Sequence, residues 1–504
     1  MTQRTRKGAK EEDRTETISS NIAHVRLVPN ADQNPRLVII QRVIGWRVAS
    51  SCTSSPVREE FAVRSIALVG ILFVFFLASP LSPGSVETAG AAPAAAEPVA
   101  VPEPSPEAVS YYNSGNALWL VSTVWGLLFP ALLLFTGWSS RLRDLAHRIG
   151  RKWFFVVAVY FVLYSAISYL VWLPMEYYQD YLRERAYGLS NQNFEGWLTD
   201  SVISFAVNTV LGALLLWIPY LLLKRSPRRW WLYTGVVAVP VIFLVLMITP
   251  VVIVPLFNEV TPMQDAELEK KILDVAERAG IDDAAIMQIN SSADSRTLNA
   301  AVMGFGGTKR IVVTDTLVQK LDEGELLFGI AHEAGHYVLG HTVYTVLFLS
   351  VLIVATLFIA HVASGKLIAR FEGRFRFNEL GDIASLPLIL LLSGVISLSL
   401  TPVWYGFTRS NEHEADRFAL ELTRANRAGA TSFVKLQNEN LRIPRPGLLF
   451  VLWRASHPSL GDRIDFCNNY RPWETGEPSR YDRVIRRPAE PAARVGAAAT
   501  PSNR

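Results

Sequence analysis

His332-Glu333-Ala334-Gly335-His336 is an H-E-x-x-H motif, and the rest of the chain is read outward from it. At 3.6 residues per turn, two histidines four apart leave a helix on the same face, so their imidazoles can share one metal ion. Glu333 stands beside them, within reach of a water on that ion, as a general base. Residues 325–340 contain no proline, and Asp322 followed three residues later by Glu325 makes a capping box at the helix start. Past the motif, His341 and Thr342 lead into residues 343–363, almost wholly apolar and long enough to span a bilayer. The expectation is one continuous helix, with the metal site at the membrane surface and the anchor within it.

Half of the 504 residues are hydrophobic, and they are grouped in long blocks, the pattern of a polytopic membrane protein. The net charge of +4 is small, and the basic residues sit in short loops and near the C-terminus, which argues against nucleic acid as a partner. Cys52 and Cys467 lie in unrelated contexts and form neither a C-x-x-C motif nor a disulfide framework. A metal ion must therefore be held by histidine and carboxylate. Only eight histidines occur in the chain, so this spacing is not a chance expectation.

Residues 1–60 are polar and Arg-rich, and read as a disordered extension or as residues ahead of the true start. Residues 61–83 carry a short apolar core, 66–78, behind Arg64; this is either a cleaved signal or a first membrane span. Residues 84–110, rich in Ala, Pro and Glu, read as a flexible linker. An N-terminal membrane domain, 111–254, holds four spans at about 118–138, 153–173, 202–223 and 231–254. A zinc-metallopeptidase domain, 255–470, includes two more at 343–363 and 383–404, and a disordered tail follows at 471–504. The fold class expected is mostly α: a polytopic membrane helical bundle of about seven spans with a small α+β metallopeptidase domain.

Basic residues cluster in the loops at 139–152, 224–230 and 364–382. All three loops fall on one side of a six-span arrangement, and the positive-inside rule makes that side cytoplasmic. The motif then faces the other side, which in a bacterial inner membrane is the periplasm. Within the soluble stretch, residues 265–279 read as a helix and 285–290 as a strand. Residues 298–303 and 310–314 read as a hairpin whose glycine-rich turn, 304–309, matches no phosphate-binding loop.

Two histidines leave a catalytic zinc site one protein ligand short. After the last span, Glu412 and Asp416 lie one turn apart on a helix expected to open near Arg409 and run to about Asn426. Glu412 is the expected third ligand, and Asp416 the acceptor of a ligand histidine's spare N–H. His413 and Glu414 are expected on a solvated helix surface.

The run from His332 through Gly340-His341-Thr342, the Glu412-x-x-x-Asp416 pair, Phe257-Asn258-Glu259 and Asn299-Ala300 together resemble the CAAX prenyl protease type 1 family of integral-membrane zinc metallopeptidases. His457-Pro458-Ser459 with Arg463 fits as well, and the likeness covers roughly residues 111–470. The resemblance implies one Zn2+ held by His332, His336 and Glu412, with Glu333 as base and His457 as donor to the oxyanion. It also implies that Asn299, Ala300 and Arg463 contact substrate. Eukaryotic members of that family trim prenylated tails on the cytosolic side, whereas the loop charges here place the site on the opposite side. The function expected is hydrolysis of peptide bonds in membrane-associated or misfolded proteins, with protein or peptide substrates and the lipid bilayer as partners. A non-catalytic membrane scaffold that keeps the protease fold is the alternative.

Overall fold

A computed structural model describes residues 97–304 and 309–486. The chain enters a set of long helices: α1 (Pro106–Phe135), α2 (Trp138–Gly150), α3 (Trp153–Glu176), α4 (Phe194–Leu215), α5 (Trp217–Arg225) and α6 (Trp230–Ile248). Together with two helices after the motif, six among the described residues are long and apolar enough to cross a membrane; five contain the spans read from the sequence, and the first ends at Phe135, three residues short of the expected 118–138. Their outward faces carry bare aliphatic side chains such as Leu170, Val210 and Val236, as a lipid-facing surface requires. The stretch at 66–78 and everything before residue 97 lie outside the described residues, as do most of the 304–309 turn and the tail beyond 486.

The first basic loop is itself largely helix α2, which buries Leu142 and Ala146 and leaves Arg141 and Arg148 exposed. Arg143 reaches Asp382 at 2.6 Å and the carbonyl of Arg376 at 3.2 Å, and Gly381 packs beside Lys224. The three basic segments therefore meet at one end of the bundle.

A compact unit follows α6: β1 (Val260–Pro262), α7 (Ala266–Arg278), β2 (Ala285–Ile289), β3 (Ala300–Met303), β4 (Arg310–Thr314), α8 (Asp315–Lys320) and the motif helix α9 (Glu323–Val338). The sheet order is β1-β2-β4-β3, with β2 and β4 parallel and the outer pairs antiparallel, so among the described residues β3 has one unpaired edge. Ile272, Ile311, Leu326, Ile330 and Phe418 close the core between sheet and helices. Asp322 and Glu325 form the expected capping box, and Lys435 also pairs with Glu325.

The motif helix and the following span, α10 (His341–Phe375), are not one helix. Gly340 adopts φ +69°, the left-handed conformation that ends a helix at little cost only in glycine. Conversely, α11 (Leu386–Thr423) is one helix of 38 residues that unites the last span with the Glu412 segment, so no new helix opens near Arg409. After it come α12 (Asn426–Glu439), α13 (Leu448–Trp453) and α14 (Leu460–Asn469).

Two segments expected to be loose are tied down. Residues 97–105 run extended over the peptidase unit. Asn468 grips the main chain of Val99 at 3.0 and 2.9 Å, and Gln437 donates to the carbonyl of Pro102 at 3.0 Å. At the other end, the amides of Arg480 and Tyr481 donate to Glu421, and the Tyr481 ring is buried against Phe418. Both segments bury apolar side chains on the core, which composition alone does not reveal.

Candidate metal centre

The motif helix and α11 meet closely because Gly335 has no side chain. A Cβ there would stand 3.1 Å from Phe418 and 3.3 Å from the Cα of Ala415. That contact brings Glu412 opposite the two histidines. His332 Nε2 and His336 Nε2 are 3.2 Å apart, and each is 3.4 Å from a carboxylate oxygen of Glu412. Donors bound at about 2.0–2.1 Å around a tetrahedral ion stand about 3.3–3.4 Å from one another. The two ring nitrogens are thus spaced as such an ion needs, Glu412 turns one oxygen toward each ring, and one ligand atom from each of the three residues falls within 4.8 Å of the others; the Glu412 oxygen facing His332 is buried with no hydrogen-bond donor. Two imidazoles and a carboxylate are a donor set suited to zinc, and the residues fit the ion.

Asp416, one turn beyond Glu412 and buried, accepts the Nδ1–H of His332 at 2.9 Å. This leaves Nε2 of that ring bare for a cation. Arg463, on α14, clasps the same carboxylate with Nε at 2.8 Å and Nη2 at 2.6 Å, and its guanidinium stacks 4.0 Å over the ring of Phe433. Burial works against charge on His332, but Asp416 and Glu412 outweigh it and push the ring's pKa up to about 10. The carboxylates draw one positive charge to the site, which a proton or a metal ion supplies.

Glu333 borders the cavity beside the ligands, and burial raises its carboxyl above the ordinary value while the two imidazoles oppose the rise. His457 comes from the loop before α14. Its Nε2 lies 3.3 Å from Glu412 and its Nδ1 pairs with the hydroxyl of Ser456 at 2.8 Å. Ala300 opens β3 and Asn299 immediately precedes it, and both line the same cavity of about 940 Å3. That cavity also reaches Tyr112 and Trp119 of α1.

Arg463 departs from its expected part. Its guanidinium is buried and committed to Asp416, behind His332, while the residue still borders the cavity. His413 and Glu414 also differ from a solvated surface: His413 packs on Phe466 and pairs with Arg417, and Glu414 pairs with Arg417 and Tyr481. The residue without an assigned part in the sequence reading is His341. Its Nδ1 lies 2.9 Å from Nδ1 of His336, so a His336 ring that offers Nε2 to a metal donates its other N–H to His341. Its signal was present in the sequence, a third histidine directly after a helix-ending glycine.

Comparison with known proteins covers the same ground. A profile described as Peptidase family M48 matches residues 262–470, the part that holds every candidate site residue. One described as CAAX prenyl protease N-terminal, five membrane helices, matches residues 86–259. The chain is 34% identical over 374 residues to the uncharacterized metalloprotease YhfN of Bacillus subtilis, covering 73% of this chain and 87% of that one. It is 30% identical over 318 residues to CAAX prenyl protease 1 of Saccharomyces cerevisiae, covering 60% and 70%. The crystal structure of S. mikatae Ste24p superimposes with a TM-score of 0.63 at 25% identity, covering 71% of this chain and 87% of that one.

Proposed function

The chain belongs to peptidase family M48, in its CAAX prenyl protease branch, and from that premise we propose that it is a zinc-dependent membrane metalloendopeptidase. The observation that carries the reading is the convergence of His332, His336 and Glu412, whose two Nε2 atoms stand 3.2 Å apart and each lie 3.4 Å from one of the two carboxylate oxygens. When bound, zinc supplies Lewis-acid polarisation of a carbonyl and acidifies a coordinated water. Glu333 takes a proton at its carboxylate and passes it to the amine nitrogen that leaves as the amide C–N bond breaks. Its raised pKa suits both halves of that transfer. His457 offers a ring N–H to the oxygen on which negative charge develops; losing one such donor costs about 10²–10³ in rate.

Substrate is held as an extended strand along the free edge of β3, with the main chain of Ala300 and the side chain of Asn299 as partners. The cavity wall contributed by α1 supports substrates that approach along the membrane, that is, segments of membrane-associated or misfolded proteins. The gathering of the basic segments at one end supports, by the positive-inside rule, a cytoplasmic assignment for that end and a site facing the outer side of a bacterial inner membrane.

The test is zinc content together with cleavage of an unfolded test protein in detergent, for wild type and Glu333→Gln. Stoichiometric zinc in both with cleavage by wild type alone is expected, the variant losing about 10²–10⁴ in rate. Zinc in both with cleavage by neither would leave a narrowly selective protease or a non-catalytic scaffold.

A further inference from the structure

Residues Gly447-Leu448-Leu449-Phe450-Val451-Leu452-Trp453 form a short apolar helix, α13, in the part of the chain outside the six long helices. Leu448 and Leu449 are 70% and 74% exposed, as bare as Leu170 at 66% on the outward face of a membrane span. Two leucines held in water at that exposure would be costly for a helix with no other solvent-facing polar residue of its own.

The position of α13 is fixed against the last span. Pro402 lies inside α11 and has no N–H, so the carbonyl four residues earlier, that of Leu398, has no donor from its own helix. The indole N–H of Trp453 supplies it at 3.0 Å. Leu398 belongs to the apolar part of α11; the first charged residue after it is Arg409, about 16 Å further along at 1.5 Å per residue. Arg409 in turn donates to the carbonyls of Val451 and Ala455 at 2.7 and 2.8 Å. Thus α13 is pinned at one side to a carbonyl within the membrane-spanning stretch and at the other to the arginine that ends it. On its opposite flank Phe450 packs on Tyr112 of α1, and Arg454 bonds Asn116. The run itself, Leu448 to Trp453, carries no charged residue; the nearby Arg445 pairs with Asp462 and Asp465, and Arg442 and Arg454 border the cavity.

We infer that α13 is a monotopic membrane element: it lies in the bilayer interface on the active-site side, with Leu448 and Leu449 in the acyl region and Phe450 facing the catalytic cavity. The partner is lipid hydrocarbon, and the inference holds whichever reaction the site performs. The cavity wall formed by Phe450 and Arg454 is then backed by the bilayer.

Spin labels test this directly. In the full chain carrying Cys52→Ser, with buried Cys467 retained as the unlabelled background, single cysteines replace Leu448, Leu449, Leu170 and Glu477. Each protein is reconstituted into phosphatidylethanolamine/phosphatidylglycerol vesicles, and collision with oxygen is compared with collision with a water-soluble nickel chelate. The label at 170 serves as the lipid standard and that at the exposed Glu477 as the water standard. Labels at 448 and 449 are expected to side with 170, favouring oxygen over nickel. Either label siding with 477 overturns the inference.

Discussion

Arg463 and Asp416 form a buried two-point ion pair, at 2.6 and 2.8 Å, directly behind His332 of the candidate metal centre. The planar guanidinium satisfies both carboxylate oxygens at once, which leaves one lone pair aimed at Nδ1 of His332. Lysine cannot reproduce that fork. Asp416→Asn and Arg463→Lys are each expected to weaken zinc affinity about 10–100-fold, measured by competition with a chromophoric chelator. Arg463→Met, which strands a buried charge on Asp416, should also cost about 3–5 kcal/mol in unfolding free energy.

The pairing of His336 with His341 leads to a parallel expectation on the other ligand. His341→Phe removes the acceptor for the ligand's second N–H and should lower zinc affinity about 10–100-fold, with the fold retained by circular dichroism. His341→Gln keeps an acceptor and should recover part of the loss. Equal affinity in all three proteins would show that His341 does not orient the ligand.

Gly335 and Gly329 share one helix and should respond oppositely to alanine. At Gly335 the new methyl group meets Phe418 and Ala415, and overpacking of this kind costs about 1–3 kcal/mol. At Gly329 the same methyl enters open space, and replacing an interior helix glycine should gain about 0.5–1 kcal/mol. Thermal unfolding in detergent distinguishes the two, with Gly335→Ala melting below wild type and Gly329→Ala at or above it.

Trp453 and Pro402 should be energetically coupled. Trp453→Phe strands the carbonyl of Leu398 and should cost about 1–3 kcal/mol. In a Pro402→Ala background the helix supplies its own N–H to that carbonyl, so the same tryptophan substitution should cost much less. A double-mutant cycle on melting temperature reads the difference; additivity would show that the indole bond is not what compensates the proline.

Much of the centre was legible in the linear chain because its ligands obey local rules. The i, i+4 spacing of His332 and His336 and of Glu412 and Asp416 needs only the helical repeat, and the capping box Asp322/Glu325 needs only a first turn. The six long spans follow from hydropathy, since lipid leaves a helix as the way to satisfy a spanning backbone. The hairpin of β3 and β4 was visible as two short apolar runs around a glycine-rich turn.

Other features needed the tertiary structure, because they depend on what a residue meets rather than on its neighbours in sequence. A glycine at 340 is compatible with a helix interior or an end; its left-handed φ is decided by the packing that turns α10 away from α9. Arg463 reads as a free cation until the fold buries it against Asp416, where desolvation makes the pair obligatory. Residues 97–105 and 480–486 look unstructured by composition, yet Asn468 and Glu421, both remote in sequence, hold their main chains. The pattern of the chain by itself determined which elements form and which side chains can bind a metal. Tertiary contact decided where helices end, which charges pair and which apolar run meets lipid, since desolvation and close packing act between segments that the sequence keeps far apart.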